Sequence, residues 1–232
     1  MTEKNLKTFM YIGAEKMLIC VFSKKDSKIL YKNEARLTEI YNHIDENKII
    51  NFLSKNIFKI EKQLKQFIND ISLTINSNQF LSIDISMKQN VYDQVTTKNQ
   101  LNILNDLKNY ILDSYKDYSI IHDVVNHYLF DNVIQQSFNF SKKSNYFCVD
   151  ATFILMKKED IFFYKKIFEK FQISIKKIMC GKYIFDIFRS NDFNECEMGL
   201  KISLGFNSNE IFLVKKNIEN KGFFERFFHF FS

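Results

Sequence analysis

The chain has 232 residues, of which 46% are hydrophobic and 26% are charged, and its formal net charge is +6. These proportions indicate a globular protein with a hydrophobic core and exclude a disordered chain. The mild positive charge suits an anionic membrane or an RNA equally, because the lysines are spread along the chain and do not form blocks.

The cysteines and the apolar segments bear on the cellular compartment. The cysteines are widely spaced, without a C-x-x-C pair, and predict reduced core residues: Cys20, Cys148, Cys180 and Cys196. The first apolar segment is interrupted by Glu15 and Lys16 and does not resemble a signal peptide. No window offers about 18 uncharged apolar residues. We therefore expect a cytoplasmic protein that reaches a membrane only from its surface.

The first part of the chain contains strand patterns followed by a helix pattern. Apolar residues predict short strands at Lys7–Ile12, Met17–Phe22 and Lys28–Lys32, joined by tight connections. From Asp45, which is suited to an N-cap, the period becomes 3.6. An apolar stripe that continues to Ile71 predicts one long helix packed on the sheet.

The second part continues the mixture of strands and helices. The predicted elements are a strand at Asn78–Ser86, a helix capped by Thr97 with Leu101, Leu104, Leu107 and Ile111 on one side, strands at Ser119–Phe130 and Asn145–Met156, a helix at Glu159–Phe171, a strand at Ile173–Met179 and a short helix at Tyr183–Phe188. Asp131–Ser144 is a polar connection. Within Asn78–Ser86, one face is predicted to hold Leu81, Ile83 and Ile85, and the other Phe80, Ser82, Asp84 and Ser86. The chain is predicted to be mixed α/β throughout.

The last residues, Gly222 to Ser232, predict a short amphipathic helix. At about 100° per residue, six phenylalanines fall within an arc of about 160°. Lysines precede this helix, which suits an anionic membrane surface. We assign membrane contact to the basic and aromatic residues of the segment: Lys221, Phe223, Phe224, Arg226, Phe227, Phe228, Phe230 and Phe231. The alternative is a terminal helix that closes the core or fills a partner groove.

Residues 8 to about 188 resemble the N-terminal half of FtsA, the actin-like bacterial division protein that tethers the division ring. The stretches that carry the resemblance are Tyr11–Lys16, like the first phosphate loop; Asn47–Ile71 and Phe80–Ser86, like the next helix and strand; Val95–Lys98, like the lead into the inserted small domain; Ile120–His122 with Asn126–Tyr128, Cys148–Met156, the helix to Phe171 and Gln172–Ile175, like elements of that insertion; and Lys221–Phe228, like the membrane tail.

The resemblance implies a division of the chain into four parts. Residues 1–90 correspond to a partial actin-like, ribonuclease H-like first lobe, and residues 91–180 to an inserted small strand-helix-strand-strand domain. Residues 181–214 form a return segment, and residues 215–232 form a linker and the amphipathic membrane helix.

Departures from the family pattern bear on nucleotide binding. Tyr11 stands where the family has an acidic residue, and Ala14 where it has a hydroxyl residue. A Mg²⁺–phosphate site needs carboxylate and hydroxyl oxygens. The stretch after Phe188 is too short for the family's second lobe, and Ser203–Asn207 is at best a relic of a glycine loop. We therefore expect no nucleotide cofactor.

Other candidate sites are weak in the sequence. His122 and His127 lie five residues apart on one predicted strand, so their side chains are expected on opposite faces, unable to share a metal. Asp150 has Cys148 and Thr152 as same-face neighbours on its own strand, so no partner acid for acid–base catalysis is visible there. The pattern predicts neither a catalytic nor a metal site.

We therefore expect a non-enzymatic, membrane-associated adaptor of bacterial cell division. Its predicted partners are the cytoplasmic face of the inner membrane, through the terminal helix, and division-complex proteins, through the inserted domain, with self-association as a further interaction. Nucleic acid is not expected, because no basic stripe interleaved with aromatic residues occurs on one strand face. Two alternatives stay open: a pilus-assembly-type actin-like adaptor that binds a peptide of an inner-membrane protein, and an ATP-binding actin-like protein.

Overall fold

The computed structural model of the protein describes residues 6–37, 45–91, 94–136, 143–189 and 191–210. In chain order, its elements are β1 (Leu6–Gly13), β2 (Lys16–Ser23), β3 (Ile29–Arg36), α1 (Glu46–Leu64), β4 (Asp70–Asn76), β5 (Phe80–Asn90), α2 (Thr97–Ser114), β6 (Tyr118–Phe130), β7 (Val133–Gln135), β8 (Tyr146–Lys157), α3 (Lys158–Glu169), β9 (Ser174–Cys180), α4 (Gly181–Ile187) and α5 (Glu195–Ser203). This element order confirms the predicted mixed α/β class.

The first sheet has the strand order β3-β2-β1-β4-β9. As predicted, β1 to β3 form an antiparallel meander, whereas β4 and β9 run parallel to β1. One face packs against α1 and α3, and the other packs against α4 and α5. Because helices cover both faces, β1, β2 and β4 are buried along nearly their whole lengths.

The predicted long helix is shorter in the structure. Its start is confirmed, since the Asp45 side chain accepts a hydrogen bond from the backbone N–H of Asn47 at 2.9 Å. The prediction that it continues to Ile71 is wrong, because α1 ends at Leu64 and Lys65 adopts a left-handed backbone conformation with φ 51°. Of the apolar residues that follow, Phe67 and Ile68 lie in the connection, and Ile71 belongs to β4, the central parallel strand of the first sheet.

The second sheet has the strand order β5-β8-β6-β7, and its strands are antiparallel. One face packs against α2 and encloses a separate core. The predicted alternation of β5 is confirmed: Leu81, Ile83 and Ile85 pack against this core, whereas Ser82, Asp84 and Ser86 are exposed on the opposite face. We refer to the second sheet with α2 as the inserted unit. Residues 80–90 (β5) belong to this second sheet, and residues 174–180 (β9) belong to the first sheet. The predicted domain borders at residues 90 and 180 stay predictions.

Several smaller predictions differ from the structure at element ends. The N-cap of α2 is Thr96 and not Thr97, because the Thr96 side chain accepts from the backbone N–H of Asn99. The predicted polar connection contains the short strand β7. The helix α5 was not predicted, although Asn194 and Glu197 form a capping box at its start, which is a recognisable sequence signal.

Candidate functional site

The loop that resembles a phosphate loop is a tight hairpin closed by the side chain of Tyr11. Ala14 and Glu15 connect β1 to β2. The Tyr11 ring is 5% exposed, and the Asn76 amide donates a hydrogen bond to its hydroxyl at 3.4 Å. Burial raises the pKa of Tyr11, so the side chain is a neutral phenol. A Cβ on Gly13 would collide with this ring. At positions 11 and 14 the loop therefore supplies a buried phenol and a methyl group, which do not fit a Mg²⁺–nucleotide phosphate.

The other carboxyl ends of the parallel strands are also closed. Ile75 of β4 lies beside Cys180 of β9, and Gly181 follows so tightly that a Cβ there would meet the backbone of Asn76. The carboxyl ends of β4 and β9 are thus closely packed. The stretch Ser203–Asn207, interpreted as a glycine-loop relic, lies at the opposite end of the strands and ends α5: Gly205 adopts φ +81°, and its N–H donates to the Ile202 carbonyl at 3.0 Å.

The two histidines of β6 lie on the same face of the second sheet, so the predicted opposite orientation is wrong. His122 pairs with Ile154 and His127 with Asp150 on β8. The pairing of β8 with β5 has no register shift, so side chains alternate regularly along β8. Asp150 and Ile154, which are four residues apart, therefore lie on the same face. A bulge in β6 between Val125 and His127 inserts one residue and reverses the alternation.

His122 connects the two sheets. Its side chain is buried, and its Nε2 accepts a hydrogen bond from the backbone N–H of Cys180, at the end of β9, at 3.0 Å. With Nε2 accepting, Nδ1 carries the proton and donates to Glu210 Oε1 at 2.8 Å. The imidazole also lies against the Tyr183 ring, with ring centroids 4.4 Å apart. A residue of the second sheet is therefore held by β9, by α4 and by the segment after α5.

The electrostatics of this junction favour a neutral histidine beside a charged glutamate. Burial lowers the pKa of His122 despite the adjacent carboxylate. For Glu210, burial acts to raise the pKa, but hydrogen bonds from His122 and Tyr183 and the charge of Lys177 outweigh it and hold the pKa low. Tyr183 donates to Glu210 Oε2 at 3.1 Å and Lys177 Nζ to Oε1 at 3.4 Å. The carboxylate is thus fully engaged, and the junction is a structural clamp.

The face of the second sheet opposite α2 carries a ladder of polar side chains. Ser86 Oγ donates to Asp150 at 2.7 Å, and Thr152 Oγ1 donates to Asp84 at 2.5 Å. His127 Nδ1 lies 3.3 Å from Asp150. The pairing of β5 with β8 therefore places Asp84 beside Thr152 and Ser86 beside Asp150, contacts that a comparison along one strand does not contain. Within the described ranges, no group of three His, Cys, Asp or Glu side chains is placed to hold a metal ion. The carboxylates of Asp150 and Asp84 accept hydrogen bonds from the hydroxyls of Ser86 and Thr152.

The outer edge of β5 is the second feature of this sheet. β5 is eleven residues long and pairs with β8 over its whole length without a shift. It is the terminal strand of the second sheet, and among the described residues no strand lies along its outer side. A regular edge without a bulge or proline presents backbone donors and acceptors in the arrangement that an added strand needs.

The predicted membrane-binding residues, Lys221 to Phe231, lie outside the described residues. Within the described part of the chain, no helix has the length and hydrophobicity needed to cross a membrane. The membrane contact of the terminal segment therefore stays a prediction.

Comparison with known proteins finds solved structures of similar fold. No family model and no curated protein matches the chain. Among solved structures, it is similar to a PilM–PilN type IV pilus biogenesis complex at 6% identity and a TM-score of 0.50, covering 77% of this chain and 48% of the other.

Two further structures show weaker likeness. One is the cytoplasmic domain of EpsL, an inner-membrane component of the type II secretion system of Vibrio cholerae, with 7% identity, a TM-score of 0.39, and coverage of 77% and 58%. The other is a protein of unknown function with an actin-like ATPase fold from Bacteroides thetaiotaomicron, with 13% identity, a TM-score of 0.32, and coverage of 81% and 56%. The chain spans about half the length of the solved chains that it resembles.

These likenesses concern the fold. The protein has an actin-like fold, a partial lobe with a small inserted domain, and this prediction is confirmed. They do not distinguish FtsA from other actin-like proteins, and so the assignment to FtsA and to cell division stays a prediction.

Proposed function

We propose that the protein is a non-enzymatic adaptor at the cytoplasmic face of the inner membrane, which binds an extended segment of an inner-membrane protein along β5. The observation that carries this proposal is the outer edge of β5, along which no described strand lies, and which is eleven residues long and regular in its pairing. An extended peptide that joins this edge forms main-chain hydrogen bonds along its length.

The side chains around this edge supply the means for selectivity. Ser82, Asp84, Ser86 and Lys88 alternate on the polar face of β5 and are exposed. A bound strand would place alternate residues beside them, and opposite charges or hydrogen-bonding pairs contribute roughly 0.2–1 kcal/mol each. We therefore expect a partner segment that is polar on this side.

The clamp at His122 supports an adaptor role because it fixes the orientation of the inserted unit. Its hydrogen bonds to Cys180 and Glu210 hold β6 against the first sheet. A peptide bound on the second sheet is thereby held at a defined position relative to the rest of the protein. This arrangement suits a protein that links two components.

The fold comparison supports the pilus-assembly-type role at least as well as a role in division. One structure with this fold is a PilM–PilN complex of type IV pilus biogenesis. The FtsA resemblance of the sequence supports the role in division. In both cases we propose that the predicted terminal helix, through Lys221 and the phenylalanines that follow, attaches the protein to the membrane.

Site-specific photocrosslinking in the native host tests the proposed surface. A photoreactive amino acid replaces Ser82 on β5 in one variant and Ser54, an exposed residue of α1, in the matched control. We expect position 82, and not position 54, to crosslink to an integral inner-membrane protein through its cytoplasmic segment. Identical products from both positions, or products from position 82 that contain no membrane protein, would contradict the proposal.

The identity of the crosslinked protein then separates the biological alternatives. A pilus or secretion component supports the pilus-assembly-type adaptor, and a division component together with midcell fluorescence of a tagged protein supports the FtsA-like adaptor. Diffuse fluorescence that is unchanged when Phe227 and Phe228 are replaced by serine would contradict membrane attachment through the tail.

A further inference from the structure

A basic pocket lies at the amino-terminal ends of β1, β4 and β9, on the side of the first sheet that faces α5. Its volume is about 550 Å³. Among the described residues, four lysines line it, Lys7, Lys24, Lys176 and Lys177, together with one acidic side chain, Asp70. We refer to it as the lysine pocket. It is at the opposite end of the strands from the hairpin loop at residues 14–15, and so it is distinct from the nucleotide site of the actin-like fold.

The lysine pocket exists because α5 covers part of the sheet face. Phe9 and Met179 lie beneath α5 in the buried core, but α5 ends at Ser203, which lines the pocket. Beyond this point the same face carries Lys7 on β1, two residues before Phe9, and Lys177 on β9, two residues before Met179. The strands therefore change from apolar to basic where the helix stops.

A local irregularity brings a further lysine into the pocket. The pairing of β4 with β9 shifts between Ile71 and Ser72, so that Ser72 lies opposite Lys177 and Lys176 is the extra residue of β9. Both Lys176 and Lys177 consequently line the pocket. The hydroxyl of Ser72 lies in the same wall and adds a neutral hydrogen-bonding group.

Among the described residues, few carboxylates balance the charges of the lysine pocket. Lys177 is paired with Glu210 at 3.4 Å, but within the described residues Lys7, Lys24 and Lys176 form no ion pair. Burial lowers the pKa of Lys7, and the neighbouring charges of Lys176 and Lys24 lower it further. Holding these ammonium groups together costs free energy through repulsion, and a bound anion would relieve that repulsion.

We propose that the lysine pocket binds a phosphate group, either free or on a phospholipid head. A phosphate carries a charge of about −1.5 to −2 and oxygens that accept several hydrogen bonds at once, which matches several neighbouring ammonium groups better than a single carboxylate does. The pocket is larger than one phosphate, so it has room for part of the group that carries it. This site is independent of the proposed peptide edge on β5.

Thermal unfolding of the full chain with inorganic phosphate tests the proposal, with sodium chloride at equal ionic strength as the reference. At about ten times the dissociation constant, phosphate is expected to raise the Tm of the unchanged protein by about 3–6 °C. The variant Lys7→Gln with Lys176→Gln should lose most of this rise. The matched variant Lys55→Gln with Lys59→Gln, which removes two exposed lysines of α1, should keep it.

A second arm distinguishes the two sources of phosphate. Sedimentation with vesicles of phosphatidylglycerol and phosphatidylcholine is measured in a full chain carrying Phe227→Ser and Phe228→Ser, which weakens the predicted tail contribution. If pelleting depends on Lys7 and Lys176, the ligand is a lipid head, and if only the Tm rise depends on them, it is a free phosphate. The proposal is overturned if neither measurement depends on these two lysines while the Tm without ligand shows that the variants fold.

Discussion

The first and second sheets use their faces differently. Helices cover the first sheet on both sides, and its inner strands are buried and apolar. The second sheet is covered by α2 on one face, whereas its opposite face carries hydroxyl, amide and carboxylate groups and its β5 edge is open among the described residues. The first sheet is therefore covered on both faces, as parallel sheets usually are, whereas the second sheet exposes the polar groups to which we assign partner binding.

The largest difference is expected when one residue is truncated in each sheet. Leu73 is fully buried in β4, so Leu73→Ala should lower the free energy of unfolding by about 2–5 kcal/mol through lost burial and a cavity. Ser82 is exposed on β5, so Ser82→Ala should change it by less than about 0.5 kcal/mol. Urea denaturation measures both, and equal losses would contradict the assignment of scaffold and binding surface.

A smaller effect is expected where the scaffold is tightly closed. A Cβ at Gly181 would approach the backbone of Asn76 to 2.9 Å, so the main chain must shift to accept a methyl group. Gly181→Ala should therefore cost about 1–3 kcal/mol. Thermal unfolding measures the loss, and an unchanged Tm would show that the carboxyl ends of the parallel strands are loosely packed.

The junction between the sheets should make stability depend on pH. Burial lowers the pKa of His122 in the folded protein, whereas the unfolded chain titrates near about 6.5. Below that pH the unfolded state binds more protons, so stability should fall by up to about 1.4 kcal/mol per pH unit. The lowered pKa of Glu210 adds a further loss below about pH 4.5.

A pair of variants isolates the contribution of His122. His122→Gln should flatten the decrease in Tm between about pH 7.5 and 5.5, because the titrating group is absent. The matched variant His127→Gln, at a partly exposed position of the same strand, should keep the decrease, because His122 is still present. If the two variants have the same slope, the clamp does not dominate this pH dependence.

The local pattern of the sequence predicts much of this fold. It is ambiguous where the apolar spacing of a helix continues into a following strand. The alternation of β5 and the cap at Asp45 follow from neighbouring residues and are confirmed. β4 was missed because Ile68 and Ile71 continue the helical spacing of α1, and Lys65 ends that helix without the glycine that usually marks such a turn.

The candidate sites depend on contacts that the local pattern does not contain. The bulge beside Val125 reverses the faces of β6 and has no proline or glycine to mark it. Asp84 meets the Asp150 region only through the pairing of β5 with β8. Likewise, Lys7 and Lys176 are far apart in the chain and meet only when β4 lies between β1 and β9.

The most direct test of the central claim is to block the β5 edge without unfolding the sheet. Successive backbone N–H groups of a strand point to opposite edges, so of Asp84→Pro and Ile85→Pro one loses a bond to β8 and the other loses only an outward donor. The variant with an unchanged Tm has kept its hydrogen bonds to β8 and has lost only the outward donor, so it blocks the outer edge of β5. The account predicts that this variant loses the crosslink from position 82 to the membrane protein, and an undiminished crosslink would contradict it.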